Sequence, residues 1–279
     1  PFLCRRPDAK AGAFMKADRS GSAGLATTVA LTGIPATVGV VCLSPVLPLI
    51  EASYADQPEV QALIKYVSVS IGLGMVVGAP LAGAISDRVG RRITLIVATI
   101  AFCFFGTVGY FIRDVPTLIA CRAIAGAGAA AILTMGVAVM GQQFPHDRRD
   151  RLIGINAMCS SLAAIATVSF SGALGAYSPH LPFLLHLLPV PLLVLAFIYV
   201  PAGKVAKTAA SHVAERLSAT HWGTFVLALA SGVAIFSIPV YLPFFMRDAG
   251  HINPVTNATV LAFMSVCSAG FAATYGWAR

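Results

Sequence analysis

Two side chains that can carry charge lie inside long apolar stretches of the sequence, where an ionised group is costly. Arg122 sits in LIACRAIAGAG and His186 in LLHLL. Insertion scales place an arginine at the centre of a spanning helix at about +2.5 to +3.5 kcal/mol, so such a residue usually faces a protein interior or a water-filled path. A histidine that meets water there exchanges protons near neutral pH. We therefore predict a coupling or substrate pathway at Arg122, Gly126 and His186.

Both candidates have purely structural alternatives. A buried arginine can snorkel towards the membrane surface or bond backbone carbonyls without any role in transport. A histidine inside an apolar helix is more often packed and hydrogen-bonded than catalytic or conductive. The sequence leaves these alternatives open.

The segment GAISDRVGRR, residues 83–92, combines glycines with residues that can form ion pairs. Gly83 permits close approach of helices, Gly90 permits a tight turn, and Asp87 can hold arginines in a charged network that breaks and re-forms. We predict a conformational latch, and the alternative is an ordinary basic turn. The latch would consist of Gly83, Asp87, Arg88, Gly90, Arg91 and Arg92.

The elements that position these residues are membrane-spanning helices. Of the 279 residues 57% are hydrophobic and only 11% are charged, and the mean hydropathy is +0.82. Soluble domains carry about 25% charged residues, so lipid is the expected solvent. A spanning helix needs about 20 apolar residues. Eight stretches qualify: 24–50, 66–86, 92–112, 115–140, 152–176, 181–202, 222–246 and 255–278.

The basic residues predict the orientation of the chain. With a cytoplasmic N-terminus, 14 lysines and arginines fall on the cytoplasmic side and only 3 on the other side, namely Lys65, Arg113 and Arg247. This matches the positive-inside rule. The net charge of +8 is thus a topology signal, and we expect no binding of nucleic acid.

The same pattern divides the chain into four parts. We expect a cytoplasmic tail at 1–23, a six-helix bundle at 24–202, a cytoplasmic connection at 203–221 and two further spans at 222–279. Met15 begins a short basic lead, so residues 1–14 are assigned no function and need not be native. We also expect the natural protein to continue beyond Arg279.

Several other activities lack their residues. The six cysteines are widely spaced and form no C-x-x-C, so neither a disulfide framework nor a metal site is expected. There is no H-E-x-x-H, G-x-S-x-G or P-loop, which argues against an enzyme or an ATP-driven pump and gives no reason to expect a cofactor.

The segment from Gly83 to Arg92 resembles the loop signature of the major facilitator superfamily, G-x-x-x-D-R-x-G-R-R/K, in the same place between the second and third spans. The segment around Arg122 resembles the family's helix-4 motif. The resemblance implies an all-α membrane protein: the N-terminal six-helix half of the family's bundle and two helices of its second half. It also implies that the loop stabilises the cytoplasm-closed state and that Arg122 contributes to proton coupling.

Within the family, two segments bear on the branch. Residues 43–48, LSPVLP, are similar to the end of the first helix in drug–proton antiporters, whereas residues 169–175 have the glycines of the exporter helix-5 motif without its proline. The resemblance implies a monomeric transporter in the inner or plasma membrane. It would export drugs or small hydrophobic molecules by alternating access, with protons as the coupling ion.

Two alternatives remain at this point. One is an importer of a small metabolite, and the other is a membrane sensor or scaffold that keeps the fold without transport. All eleven acidic residues fall in loops or at helix ends. The remaining candidates for a proton carrier inside the spans are therefore His186 and a water-linked network around Arg122. The apolar spans favour neutral or hydrophobic substrates over sugars.

Overall fold

The computed structural model describes residues 22–202, 219–250 and 253–277, and all regular secondary structure in these ranges is helical. The eight predicted spans are all helices, which confirms the all-α prediction. Their bounds are Ser22–Ala52 (α1), Pro58–Val89 (α2), Arg91–Val108 (α3), Val115–Gln143 (α4), His146–Tyr177 (α5), Leu181–Tyr199 (α6), Ala219–Asp248 (α7) and Pro254–Trp277 (α8).

Within the described residues, seven helices are long and apolar enough to cross a membrane, including the part of α7 from Ala230 to Asp248. The apolar stretch of α8, Pro254–Cys267, is shorter than these seven. The predicted tail up to residue 21 and the connection at 203–218 lie outside the described residues, together with the basic residues that the sequence places there.

Successive helices run in opposite directions, so the bundle has two ends. Gly24, at the start of α1, lies against Tyr199 at the end of α6. Glu51, at the end of α1, pairs with Arg247 at the end of α7. We call the first the N-terminal end of the bundle and the second the far end.

Helix α1 is interrupted twice. Residues 22–30 are followed by a turn at 31–33, a helical segment Ile34–Val41, a bend, a 3-10 turn Ser44–Val46 and a last segment Leu47–Ala52. Pro45 lacks an N–H and lies in the 3-10 turn, and Pro48 lies in the first turn of the last segment, where a missing N–H costs nothing. The interruptions leave carbonyl groups without their usual helical partners.

Helix α6 differs from the single span predicted for residues 181–202. It starts as a 3-10 helix, Leu181–Leu187, and continues as an α-helix only from Val190 to Tyr199. Pro189 and Pro191 explain the change, because neither can donate an N–H to an α-helical ladder. His186 lies in the 3-10 part.

Small residues bring α2 and α4 into backbone contact. A Cβ at Gly74 would lie 1.9 Å from the Ala123 carbonyl oxygen, and one at Gly78 would lie 2.4 Å from the Ala127 Cα. A Cβ added at Gly126 would likewise lie 2.1 Å from the carbonyl oxygen of Ile71 on α2. The four-residue spacing of Gly74 and Gly78 in an apolar span predicts such a small-xxx-small packing face, and the contacts confirm it.

Two details differ from the sequence reading. The prediction gave Gly83 a role in close helix approach, but a Cβ there meets nothing within 4 Å among the described residues. Lys65 was counted as a loop residue, but α2 begins at Pro58 and includes it. Pro58 in the first turn and Glu59 beside the helix N-terminus both favour this earlier start.

Helix α4 is capped at its start. The side chain of Asp114 accepts a hydrogen bond from the Thr117 N–H at 2.9 Å and another from the Thr117 hydroxyl. These bonds, the hydroxyl first, hold the pKa of Asp114 below its usual value. The cap fixes the entry of the helix that carries Arg122.

Replacing Gly126 by alanine should destabilise the protein. The new methyl group meets α2 backbone that cannot rotate away, and overpacking of this kind costs about 1–3 kcal/mol. The matched control is Gly141→Ala on the same helix, where a Cβ meets nothing within 4 Å. Thermal unfolding in detergent should show a lower midpoint for Gly126→Ala alone, and equal midpoints would contradict the close α2–α4 contact.

Candidate functional site

Arg122 is completely buried inside the helical bundle. Its Nη2 donates to the Gly39 carbonyl at 2.8 Å, and its Nε donates to the Val67 carbonyl at 3.2 Å. Its Nη1 donates to Nε2 of His186 at 3.1 Å. No carboxylate of the described residues contacts the guanidinium, so neutral acceptors from α1, α2 and α6 solvate it in place of water.

The acceptor from α1 exists because that helix is interrupted. In a continuous helix the Gly39 carbonyl would accept from the N–H of Leu43, but Leu43 lies in the bend beyond Val41. The Cys42 carbonyl, freed by the same bend, accepts from the hydroxyl of Ser171 on α5. The interruption therefore supplies buried acceptors at the level of Arg122.

His186 is neutral in this arrangement. Its Nδ1 lies 3.0 Å from the Phe183 carbonyl, which only accepts, so Nδ1 carries the hydrogen. Its Nε2 accepts from Arg122 and carries none. The ring fits because Gly106 on α3 has no side chain: a Cβ there would lie 2.2 Å from Cδ2 of His186. Phe102 packs beside the ring at 5.2 Å between centroids.

The structure thus brings together two residues that the sequence proposed separately. Burial excludes the alternative in which Arg122 snorkels to the membrane surface. Gly126, the third predicted residue, packs against the Ile71 carbonyl and holds α2 against α4. It supports the position of Arg122, one turn away, without contacting the guanidinium.

Cys42 is the member that the sequence reading missed. Its Sγ lies 3.7 Å from Nη1 of Arg122 and 3.7 Å from Nε2 of His186, and the side chain is fully buried. The wide spacing of the cysteines led us to expect neither a disulfide nor a metal site, and it gave Cys42 no other role. Its position just before Pro45, where α1 is interrupted, could have identified it as a residue of the site.

The predicted latch segment connects α2 to α3 at the N-terminal end. Gly90 has φ +92°, a conformation that favours glycine, and its N–H bonds the Ser86 carbonyl at 2.8 Å. Arg91 Nη1 donates to the Ala138 carbonyl of α4, and the Arg92 guanidinium lies 4.5 Å from the centre of the Phe197 ring.

Asp87 and Arg88 of the latch segment are exposed. Among the described residues Asp87 forms no ion pair or hydrogen bond. Arg91 and Arg92 therefore tie the segment to α4 and α6, and the exposed carboxylate of Asp87 interacts electrostatically with Arg91.

A separate cavity of about 380 Å³ lies where α1 and α5 face α7 and α8. Its hydroxyl-bearing lining residues are Thr37, Ser160, Ser161 and Ser265, and its apolar ones include Val41, Val168, Ile238, Leu261 and Met264. The volume lies in the range of about 300–1,000 Å³ typical of ligand sites. None of the lining residues that the structure describes carries a charge.

Beyond this cavity, α1 and α5 close against α7 and α8 at the far end. Glu51 forms an ion pair with Arg247, and the ring of Phe244 lies 5.4 Å from the Lys65 ammonium and 5.6 Å from the Arg247 guanidinium. Gly172 lies against Ala258 of α8. These contacts join α1, α2 and α5 to α7 and α8 at the far end of the bundle.

Asn156 on α5 bonds the backbone of α1. Its amide donates to the carbonyls of Val29 and Ala30 at 3.0 and 3.1 Å and to the hydroxyl of Thr32 at 3.2 Å. These bonds stabilise the first interruption of α1. The side chain therefore joins α5 to α1.

The comparison with protein families decides the identity of this architecture. The family model of the major facilitator superfamily matches residues 29–279. The chain belongs to the major facilitator superfamily. With its apolar helices, this makes it an integral, multi-pass membrane protein.

Relatives in the superfamily have different substrates. The chain is 30% identical over 104 residues to a chloramphenicol resistance protein of Streptomyces lividans, a match over 37% of this chain and 26% of that protein. It is 28% identical over 217 residues to a triacylglyceride transporter of Mycobacterium tuberculosis, a match over 74% of this chain and 38% of that protein. An arabinose–proton symporter of Bacillus subtilis is 30% identical over 125 residues, a match over 45% of this chain and 26% of that protein.

The chain thus spans between about a quarter and two-fifths of the length of these curated relatives. Among solved structures, a D-xylose–proton symporter matches with a TM-score of 0.71 at 16% identity, over 89% of this chain and 66% of that one. At this identity the match shows the superfamily fold alone.

Arg122→Lys should lower the stability of the superfamily bundle. A lysine ammonium is a single point of charge and cannot reach Gly39, Val67 and His186 together as the fork of arginine does. Loss of hydrogen bonds from a charged group costs about 1.5–3 kcal/mol each. We expect a clear drop in the thermal midpoint, with Arg151→Lys, an exposed position on α5, as the unaffected control. An unchanged midpoint for Arg122→Lys would show that the buried network contributes nothing.

Proposed function

We propose that the protein is a secondary transporter that exports small, mainly apolar molecules in exchange for protons by alternating access. The observation that carries the proposal is the cavity between α1 and α5 on one side and α7 and α8 on the other, whose described lining residues are uncharged, with the ion pair of Glu51 and Arg247 joining the two sides at the far end. In superfamilies of this kind the substrate binds between two halves that rock around it.

The two halves follow the predicted division of the chain. Residues 24–202 would form one half, 222–279 would begin the other, and 203–221 would connect them. With the N-terminus in the cytoplasm, as the basic residues indicate, the far end faces away from the cytoplasm. The state described is then closed to the outside of the inner or plasma membrane.

Export is favoured over import by the cavity and by one relative. The chloramphenicol resistance protein supports export by its name. The arabinose–proton symporter among the relatives supports the second candidate, an importer of a small metabolite. The cavity favours the first candidate, because four hydroxyls among apolar residues are few partners for a molecule with many hydroxyls.

The latch segment would control the cytoplasmic side. Gly90 provides the turn, Arg91 and Arg92 hold the segment to α4 and α6, and Asp87 and Arg88 are exposed. When the cytoplasmic side closes, Asp87 would gain a cationic or helix N-terminal partner, which a carboxylate binds favourably. The exposed Asp87 fits a latch that is released while the far end is closed.

Proton coupling would act through His186 and Arg122. A proton on Nε2 removes the acceptor that Arg122 uses and places a second positive charge next to the guanidinium. Protonation of His186 and the Arg122–His186 bond therefore exclude each other. The interruption of α1 supplies the Gly39 carbonyl to Arg122, and the 3-10 part of α6 supplies the side chain of His186. Uptake of a proton would therefore rearrange both segments.

The proposed function is tested by accumulation of dyes and drugs in an efflux-deficient host that expresses the complete gene. We expect lower accumulation of neutral apolar compounds, reversed by an uncoupler, because the proton gradient drives export. Asp87→Asn should reduce export severalfold, whereas Asp56→Asn, an exposed acid in the loop after α1, should not. A broad panel without any uncoupler-sensitive difference would contradict export, and growth rescue on a single nutrient would favour import.

His186→Gln should separate binding from coupling. The glutamine oxygen can accept from Arg122, but the side chain cannot take up a proton. Exchange of substrate across proteoliposomes without a gradient should persist, while uphill transport driven by a pH gradient should fall to background. His180→Gln, in the loop before α6, is the control. If His186→Gln still transports uphill at the normal rate, the coupling proton binds elsewhere.

A further inference from the structure

The hydroxyl groups of the cavity are all engaged in the same way. Thr37, Ser160, Ser161 and Ser265 each donate to the carbonyl four residues earlier in their own helix, at 2.8–3.2 Å. Side chains of this type commonly bond the preceding turn when they lie within a helix. The single hydrogen of each hydroxyl is therefore already used.

What the four hydroxyls still present to the cavity is lone pairs. A serine or threonine oxygen that donates one hydrogen bond can accept up to two more. The remaining described side chains of the lining are apolar, and none of them carries a charge or a free N–H. Among its described residues the cavity thus combines apolar walls with hydrogen-bond acceptors and has no free side-chain donor.

We infer that the cavity binds an uncharged, mainly apolar molecule that donates one or a few hydrogen bonds through hydroxyl or N–H groups. This inference rests on the proposed function and specifies its substrate class. The acceptors come from both sides of the cavity, Thr37 and Ser161 on α1 and α5 and Ser265 on α8. A donor-bearing molecule can therefore bond either half of the protein.

Other classes of molecule fit this lining poorly. A carboxylate would meet only lone pairs and lose its hydration without a cation in return. An ammonium would find acceptors but no carboxylate to balance its charge. A molecule rich in carbonyl or ether oxygens would bury acceptors without donors, unless a hydroxyl gave up its bond to the backbone.

A matched set of ligands tests this with the unaltered protein in lipid nanodiscs. The probes are 4-hexylphenol, its methyl ether, 4-hexylbenzoate and 4-hexylbenzylamine, with binding to empty nanodiscs subtracted. We expect the phenol to bind about 2- to 10-fold more tightly than the ether, the ratio that one net hydrogen bond gives. The two charged probes should show no binding above empty nanodiscs.

The quadruple variant Thr37→Val, Ser160→Ala, Ser161→Ala, Ser265→Ala removes all four hydroxyls, so it should bring the phenol to the affinity of the ether and leave the ether unchanged. Tighter binding of either charged probe, or equal binding of phenol and ether to the unaltered protein, would overturn the inference. The transport assay is independent of this ranking. Export of anions would contradict the inferred substrate class but support the proposed transport function. The expected order of affinities without any transport would support the substrate class but contradict the transport function.

Discussion

The position of one buried cation governs the rest of the helical bundle. Arg122 has no contact with water and none with a carboxylate among the described residues, so its charge is stabilised by neutral acceptors alone. Regular helices offer few such acceptors, because their carbonyls are bonded to their own N–H groups. The interruption of α1 and the 3-10 start of α6 provide them where the guanidinium needs them.

This requirement also explains the small residues around the site. Gly126 and Gly74 let α4 lie against α2, so that Arg122 reaches the Val67 carbonyl. Gly106 leaves room for the ring of His186. In a membrane, association of helices depends on such close packing and on hydrogen bonds between helices, since lipid is as apolar as the helix surfaces. The glycines and the arginine are thus parts of a single arrangement.

The amino-acid sequence was enough to predict the spans, the glycine contacts between α2 and α4 and the turn at Gly90, because each depends on hydropathy or on local spacing. The contact between Arg122 and His186 could not be predicted in this way. It joins residues 64 positions apart through a histidine whose orientation depends on Pro189 and on the cleft at Gly106. Cys42 was missed for the same reason, since nothing local distinguishes it from the other buried thiols.

Helix α1 connects the two parts of the molecule that transport would have to link. Gly39 and Cys42 bond the Arg122 network, while Thr37 and Val41 line the cavity. The two faces are separated by a few residues of one short helical segment, Ile34–Val41, with an interruption at each end. A short segment between two interruptions can move as a unit, which gives a physical route between proton and substrate without a long chain of contacts.

The ion pair at the far end has a consequence for speed. Arg247 keeps 30% of its side chain exposed, whereas Glu51 keeps only 9%. Because the carboxylate is buried, salt screens this pair less than it screens a pair on the open surface. Opening at the far end would have to give Glu51 water or another partner when Arg247 leaves, since an unpaired buried charge is costly. The rate of such an opening should therefore depend more on the two charges themselves than on the ionic strength of the solution.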